Sequence, residues 1–518
     1  MVSAVFSSTS QCVASGDGFG ATKAEATDAI PAWPLARPAY ASLDAAVQGE
    51  AARWNVPGVS VAVLHDGVIE KSAAGVTSIV TRQPMTPDTI SQIGSISKVF
   101  ATTVTMQLVD QGLLDLDVPI TTYVPELPLA DPDARANLTM RHLLSHTGGF
   151  EGDRFLDYGR GDDATTSSML AMDTLKQWFQ PGELFSYCNV AFYLVALAIE
   201  RITGEVAEDV VQKRLFDPLK LESATYFAED AITWPHAIGH LLGDRDKGLE
   251  IARPYSFPRH INLCGNIVAT AEHLIRFAQM HINDGELDGV RILSAESAQL
   301  MRTPYIDAGA EYRTYGQGWC IWDYPEFKTV EHGGATMGFR AHLTTIPERG
   351  FAIATLTNAD SGSSAIQDLE AWAFDHYLGV ARPKPDTTTR SKKELDSFTG
   401  VFSRHDTRIT ITRKGDQLQV TSIDINEKTG EEEDGLAFSL VPIKPAKANR
   451  FRVPEGQALG MVVDFLDSPT PDHPDRVLIR IGGRLSERFG VGDDETTSDG
   501  KVKAGKKSGK RKGKSKKS

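Results

Sequence analysis

Ser95 and Lys98, three residues apart, are side chains that could carry out covalent chemistry together. They stand where a polar segment passes into a long apolar-periodic one, so we predict that they open a buried helix. Positions i and i+3 share one helix face, which lets the hydroxyl and the amine meet. A serine becomes a good nucleophile when a neighbouring base takes its proton, and a lysine in an apolar setting can help. The ordinary alternative is that Ser95 caps the helix and Lys98 is solvated.

Two further motifs could complete such a site. Tyr187-x-Asn189 places a phenol and an amide two residues apart, and His332-Gly333-Gly334 places a histidine before two glycines. Taken singly, each has a structural explanation: Tyr187 as a core aromatic, Asn189 as a helix cap, and His332 as a strand histidine beside a glycine bulge. Taken together, in this order and each in a suitable local context, the motifs predict one site.

The segments that must position these motifs predict an α+β unit over residues 38–380. A helix precedes two strands, 58–65 and 68–75, joined by a tight-turn dipeptide. Apolar periodicity predicts a helix over 95–112, and alternating runs predict paired strands within 330–357. The sheet is therefore expected to combine strands from both ends of the unit, with helices between them.

The composition changes after residue 380. Residues 381–394 are rich in proline, threonine and lysine and predict a linker. Residues 395–490 carry short alternating runs separated by glycine, aspartate and proline, which is typical of an all-β barrel or sandwich. Residues 1–37 and 491–518 lack periodicity, so we predict a poorly ordered leader and a disordered basic tail.

Charge is distributed unevenly along the 518 residues. The formal net charge is −14, yet the last 18 residues hold ten Lys/Arg and no Asp/Glu. The acidic body argues against a specific nucleic-acid groove, and the tail is expected to be solvated or to bind polyanions weakly. No stretch is long and apolar enough to span a bilayer.

The four cysteines show no metal-ligand spacing and the chain has no nucleotide-binding loop, so neither a metal nor another cofactor is predicted. Sparse cysteines in a chain of this length favour a reducing compartment. The first residues have no basic region ahead of their short apolar patch, which argues against a secretory signal. We therefore expect a cytoplasmic protein whose partner is a small-molecule or peptide substrate; the sequence leaves the oligomeric state open.

The three motifs together resemble the serine β-lactamase/penicillin-binding-protein superfamily, in the class C β-lactamase-like branch with esterases, D-aminopeptidases, DD-peptidases and peptide cyclases. Other matching stretches are 57–63, 142–148, 265–274 and 315–319. The resemblance covers about residues 38–380. It implies a β-lactamase/transpeptidase-like domain, with an antiparallel sheet flanked by helices plus an all-helical region. Residues 395–402 and 484–488 are similar to the lipocalin-like β domain that follows many such domains.

The resemblance also implies roles for the motif residues. Ser95 would be the acylated nucleophile, and Lys98 with Tyr187 would form the general acid/base pair. Asn189 would hydrogen-bond the acyl-side amide of the substrate, while Cys188 beside it would serve packing. The residues that would bind the substrate or form the oxyanion wall are Asn189, His332, Gly333, Gly334 and Ala335. The oxyanion hole itself would be two backbone N–H groups, those of Ser95 and Ala335.

One residue departs from the β-lactamase pattern. β-Lactamases carry Lys-Thr-Gly on this strand, and the lysine helps bind the substrate carboxylate; here the position is His332. Histidine is largely neutral near pH 7, so this anchor is weakened and efficient penicillin hydrolysis is not expected. We predict a serine hydrolase acting through an acyl-enzyme on esters, amides or D-amino-acid peptides. Two alternatives stay open: acyl transfer, transpeptidation or peptide cyclisation at the same site, and a non-catalytic scaffold.

Overall fold

The computed structural model describes residues 38–488 except for eight internal gaps. The gaps are 243–247, 311–312, 384–385, 427–428, 445–448, 455–457, 459 and 468–476. The predicted leader, residues 1–37, and the predicted basic tail, residues 491–518, lie outside the described residues. No helix in the described part of the chain has the length and apolarity needed to cross a membrane.

The helices and strands follow one another in an order that separates two units. The helices are α1 (Leu43–Arg53), α2 (Ser97–Asp110), α3 (Pro132–Asn137), α4 (Met140–Leu144), α5 (Ala164–Leu170), α6 (Val190–Thr203), α7 (Ala207–Val211), α8 (Ala228–Ala231), α9 (Asn262–Gly265), α10 (Ala271–Ile282), α11 (Ala295–Met301), α12 (Gly362–Ala373) and α13 (Lys392–Ser397). The strands of the first unit are β1 (Gly58–His65), β2 (Val68–Gly75), β3 (Ser91–Gln92), β4 (His240–Leu242), β5 (Leu249–Ile251), β6 (Val268–Ala269), β7 (Glu286–Leu287), β8 (Val290–Arg291), β9 (Ile306–Ala310), β10 (Arg313–Tyr315), β11 (Cys320–Asp323), β12 (Lys328–Thr336), β13 (Phe339–Ile346) and β14 (Phe351–Thr357). The strands of the second unit are β15 (Gly400–Arg404), β16 (Thr407–Lys414), β17 (Gln417–Ile425), β18 (Glu432–Pro442), β19 (Arg450–Arg452), β20 (Val462–Asp467), β21 (Val477–Ile481) and β22 (Arg484–Arg488).

An eight-stranded antiparallel sheet forms the centre of the first unit, in the order β2-β1-β14-β13-β12-β11-β10-β9. The N-terminal hairpin therefore pairs with the last strand of the unit, as the sequence predicts. Asp66 and Gly67 join β1 to β2, and both have positive φ, 50° and 76°. Two successive residues of positive φ match the right-handed twist of a hairpin. The helical region lies between β2 and β9 along the chain, which confirms the predicted α+β architecture.

Strand β1, the second strand of the sheet, is buried on both faces. Its successive side chains therefore enter two different cores, whereas those of a half-buried strand would alternate between core and solvent. Val59, Val61 and Val63 pack in one core with α1 and α12. Ala62 and Leu64 pack in the other core, with the helical region. Both faces of the sheet are thus covered by helices, and a continuous apolar run results.

Helix α2 is more enclosed than its sequence pattern indicates. The pattern predicts one apolar face, yet every residue from Ser97 to Leu108 is buried. The cause is tertiary, because α2 runs among α6, α7, α9 and α11. Its buried hydroxyls are satisfied within the helix, where Thr102, Thr103 and Thr105 donate to the carbonyls four residues before them at 2.8, 2.8 and 2.9 Å.

The second unit is a closed barrel of eight antiparallel strands, β15 to β22, sealed by pairing of β15 with β22. This confirms the predicted all-β domain. Aromatic side chains fill its interior, with Phe398, Phe402, Phe451 and Phe465 in one cluster. Within the described residues, closing the barrel gives each strand a partner on both sides.

Candidate active site

Ser95 lies in a single 3₁₀ turn, Gly94–Ile96, immediately before α2. Gly94 has a φ of +54°, a conformation that favours glycine. Ser97 fastens the turn: its Oγ donates to the Gly94 carbonyl at 2.8 Å and accepts from the Ile267 N–H at 3.1 Å. The second serine of the motif, Ser97, therefore has a structural role, and the Ser95 hydroxyl is not needed to hold the turn.

Lys98 points back at Ser95, as the i, i+3 spacing predicts. Its Nζ donates to Ser95 Oγ at 3.1 Å and to the Cys264 carbonyl at 2.9 Å, and the residue is fully buried. Burial lowers the pKa of Lys98, but the ionisable Cys264 thiol and Tyr187 phenol beside it raise that pKa by more, so the net shift is upward. The alternative of a solvated lysine is excluded. The ammonium form can stabilise a negative charge on a neighbouring group.

Tyr187 completes this cluster from the loop before α6. The Lys98 Nζ lies 5.1 Å from the centre of its ring. Its hydroxyl is buried and makes no hydrogen bond to any residue that the structure describes. The Ser95 hydroxyl, the Lys98 ammonium and the Tyr187 phenol are therefore gathered in one place by two elements, α2 and the loop before α6.

His146 packs against the other side of Tyr187, with 4.1 Å between ring centres. Its Nδ1 accepts the Cys188 backbone N–H at 3.0 Å, so the imidazole proton is on Nε2. Burial, followed by the nearby positive charge of Lys98, holds the pKa of His146 well below its usual value. A neutral ring thus supports the phenol without adding charge.

Asn189 is anchored by its amide group instead of capping α6. Its Nδ2 donates to Asp153, and its Oδ1 accepts from the Cys264 thiol at 3.1 Å. Its side chain makes no capping bond to α6. Cys188 next to it is buried, and burial raises the pKa of its thiol strongly, in keeping with a packing role.

His332 is a buried, neutral residue of β12. Its Nε2 lies 3.0 Å from the Tyr315 hydroxyl, and its Nδ1 lies 2.6 Å from the Gly333 carbonyl. Burial, reinforced by the Lys98 charge, lowers the pKa of His332 to about 3. At neutral pH this side chain therefore offers no positive charge to a substrate.

Gly334 of β12 is required by the protein's own backbone. A methyl group on Gly334 would lie 1.8 Å from the Ile93 carbonyl oxygen, and one on Gly94 would lie 2.5 Å from the Ala335 nitrogen. Gly334 thus lets the Ser95 turn pack directly on β12, which brings the backbone of Ala335 beside that turn.

The barrel reaches the same site through the turn between β21 and β22. The Tyr187 N–H donates to the Gly483 carbonyl at 2.8 Å, and the Arg484 guanidinium lies 5.0 Å from the Tyr187 ring centre. Arg484 also forms an ion pair with Asp153, the partner of Asn189. A turn of the barrel therefore touches the candidate base.

A family model described as Beta-lactamase matches residues 43–376. The chain belongs to the beta-lactamase family. It is 35% identical over 358 residues to penicillin-binding protein 4 of Amycolatopsis lactamdurans, across 68% of this chain and 94% of that protein. A D-aminopeptidase of Gluconobacter oxydans (strain 621H) is 25% identical over 382 residues, 71% of this chain and 67% of that protein. The crystal structure of SurE superposes with a TM-score of 0.67 at 23% identity, covering 86% of this chain and 98% of that one, and shows likeness of fold.

This β-lactamase-family protein is thus an enzyme, a β-lactamase-related serine hydrolase, as the motifs predict. The family match lies in the first unit. The SurE likeness covers more of the chain than the first unit does. The predicted division at residues 38–380, 381–394 and 395–490 stays a prediction.

Four residues around the site had no role in the sequence interpretation: His146, Asp153, Tyr315 and Arg484. His146 and Tyr315 fall within stretches that supported the family resemblance. The sequence therefore pointed to these positions, but it did not show which residues they contact. Arg484 lies in the segment similar to a lipocalin-like domain, 389 positions after Ser95 by sequence number. Only the packing of the two units shows that it belongs to this site.

One cluster of acidic and histidine side chains lies on β12, β13 and α12. Glu331, His342 and Glu370 have ligand atoms close enough to surround an ion. The Arg382 guanidinium, however, forms ion pairs with both carboxylates. Both carboxylates of the cluster are therefore engaged by an arginine, which joins the segment after α12 to the sheet.

The contact between the two units contains a histidine whose charge depends on the fold. His405 of the barrel has its Nε2 2.6 Å from the Asp153 carbonyl and its Nδ1 3.6 Å from Glu151 Oε1. Burial lowers the pKa of His405, but the neighbouring Glu151 carboxylate and the charge of Asp406 outweigh it and raise the pKa above its usual value. The folded protein therefore favours the imidazolium form.

We expect this histidine to make stability fall as pH rises. A pKa raised by folding adds stability that is fully present below the unfolded value, about 6.5, and lost as pH rises through the folded value. Urea unfolding of the full chain between pH 6 and 9 should show a smaller decline in His405→Gln than in wild type. His376→Gln, at an exposed site, serves as control; equal pH slopes in wild type and His405→Gln would contradict the assignment.

Proposed function

We propose that this enzyme cleaves esters, amides or D-amino-acid peptides through an acyl-enzyme formed on Ser95. The observation that carries the proposal is the 3.1 Å contact of Lys98 Nζ with Ser95 Oγ beside the buried phenol of Tyr187. An activated serine needs a nearby base and a group that orients it, and this cluster supplies both. The relative named D-aminopeptidase supports amides and peptides as the substrate class.

In the proposed acylation step, the Tyr187 phenolate takes the proton of Ser95 Oγ while Oγ bonds to the substrate carbonyl carbon. The Lys98 ammonium stabilises the phenolate before that transfer. Tyr187 then returns the proton to the leaving amine or alcohol as its bond to the carbonyl carbon breaks. In deacylation the same phenolate takes a proton from water, the hydroxide oxygen bonds to the carbonyl carbon, and Ser95 leaves with the proton.

The negative charge on the carbonyl oxygen would be held by the backbone N–H groups of Ser95 and Ala335. Support for this pair comes from the packing of the Ser95 turn on β12, where Gly94 and Gly334 allow direct backbone contact. Preorganised N–H donors of this kind are worth on the order of a hundredfold or more in rate.

The neutral state of His332 supports poor activity on β-lactams. With its pKa lowered to about 3 and its Nε2 engaged by Tyr315, this residue cannot replace the cationic lysine that anchors a substrate carboxylate in β-lactamases. Substrates that need no carboxylate anchor on β12 are therefore favoured.

Covalent labelling tests the nucleophile. We expect a fluorophosphonate to add one probe mass per chain, mapped to Ser95 by peptide mass spectrometry, and Ser95→Ala to remove the label. Ser91→Ala is the matched control, since Ser91 is a buried serine four residues away whose hydroxyl makes no hydrogen bond to a described residue. Absence of an adduct on folded wild-type protein would favour the non-catalytic scaffold.

A substrate panel tests the reaction class. We expect turnover of p-nitrophenyl esters or of D-aminoacyl p-nitroanilides, and nitrocefin hydrolysis slower by a large factor. Adding an amine such as a D-amino acid amide separates hydrolysis from acyl transfer, because both attack the same acyl-enzyme. A product that carries the added amine in preference to water would assign the enzyme to acyl transfer.

A further inference from the structure

Two cations lie against the ring of Tyr187, and they come from different units of the chain. The Lys98 Nζ lies 5.1 Å from the ring centre, and the Arg484 guanidinium carbon lies 5.0 Å from it. Lys98 is fully buried and the Arg484 side chain is 12% exposed. Charges shielded from water in this way act strongly on a group 5 Å away.

The barrel turn that carries Arg484 is fixed to the loop of Tyr187 by consecutive contacts. The Gly483 carbonyl accepts the Tyr187 N–H at 2.8 Å, and the Leu485 N–H donates to Ser186 Oγ at 3.3 Å. Gly483 has a φ of +80°, and a methyl group there would lie 3.5 Å from Tyr187 Cβ. Arg484 is therefore held at a defined place over the ring by its backbone as well as by its ion pair.

We propose that Arg484 is a positioning residue for the general base, the cation by which the barrel favours the phenolate form of Tyr187. The inference rests on the proposed function, in which Tyr187 takes the Ser95 proton. The sheet supplies no second positive charge here, because His332 of β12, at the position of a β-lactamase lysine, is neutral. The second positive charge beside the base then comes from the barrel instead of from the sheet.

Other ionisable groups around this pair leave the positive charge in place. Those that face Tyr187 or Arg484 are Lys98, His146, Asp153, Cys264, Tyr315, His332 and Asp406. His146 and His332 are neutral, because burial lowers the pKa of both. Asp153 opposes the charge of Arg484, but it is the guanidinium of this ion pair that lies over the Tyr187 ring.

The test is the pH dependence of kcat/KM in the full chain, measured on an uncharged p-nitrophenyl ester. Arg484→Gln is expected to move the acid limb of the profile to higher pH by about one unit, and to lower kcat/KM on that limb about tenfold. Arg484→Lys, which keeps the charge, should restore most of the limb. Glu487→Gln is the control, because Glu487 lies on the same strand and bridges to Lys176 across the two units.

The outcomes separate this inference from the proposed function. An unshifted acid limb in a folded Arg484→Gln protein would overturn the inference, as would a loss confined to the KM of substrates bearing a carboxylate. If Arg484→Gln does not fold, Arg484→Met decides, because it keeps an unbranched side chain against the ring without the charge: a limb shifted to higher pH supports the charge role, and a limb at the wild-type position contradicts it. If the wild-type protein is not labelled at Ser95, the result contradicts the proposed function itself.

Discussion

Replacing Tyr187 by phenylalanine is expected to lower kcat by at least about a hundredfold, because a positioned acid/base group contributes 10²–10⁴ in rate. The substitution removes only the hydroxyl, which makes no hydrogen bond to a described residue, so the fold should remain. The ring contacts with Lys98, His146 and Arg484 are preserved. Steady-state kinetics on a p-nitrophenyl ester measures the fall in kcat. Circular dichroism of the same samples checks that the fold is retained.

The control removes a phenol hydroxyl six residues further along, in the first turn of α6. Tyr193 is buried in α6, and its hydroxyl donates to the Arg154 carbonyl at 2.8 Å. Tyr193→Phe should cost about 1 kcal/mol of stability and leave kcat within a few-fold of wild type. Lys98→Ala should match Tyr187→Phe in severity, and wild-type turnover in both of those variants would end the assignment of this pair as acid and base.

Adding a single methyl group at Gly334 is expected to lower kcat as much as Tyr187→Phe does, but for a steric reason. The added Cβ would meet the Ile93 carbonyl oxygen at 1.8 Å and the Gly94 Cα at 3.3 Å. Because these atoms belong to the backbone of the Ser95 turn, the turn must move away from β12. We expect Gly334→Ala to lose about 1–3 kcal/mol of stability, as overpacked sites do. We also expect kcat to fall about a hundredfold, since the nucleophile and the Ala335 N–H separate.

Gly265→Ala is the matched control for this substitution. It lies at the end of α9, where a Cβ would be 3.8 Å from Ile261 and 4.0 Å from Gly94, both ordinary contacts. Thermal unfolding and ester hydrolysis of both variants provide the comparison. Gly334→Ala with the melting temperature and kcat of wild type would contradict the backbone contact between β12 and the Ser95 turn.

The sequence by itself determined the features whose causes are local. The three-residue spacing of Ser95 and Lys98 places both side chains on one helical face, whichever fold surrounds them. Thr139 and Thr270 cap the helices they precede with their own side chains. Asp66 and Gly67 make a hairpin turn through their own dihedral angles. The family and the α+β architecture followed from such local patterns combined with the order of the motifs.

The tertiary structure alone decided which distant groups meet. No pattern along the chain shows that α2 is buried on every side, because that depends on four other helices packing around it. Gly334 is required by the carbonyl of Ile93, more than 200 residues earlier, and the charge state of His332 is set by its burial and by Lys98. Arg484 reaches Tyr187 only because a closed barrel presents its last turn to the loop that carries Tyr187. Contacts across such sequence separations depend on packing, which local sequence does not encode.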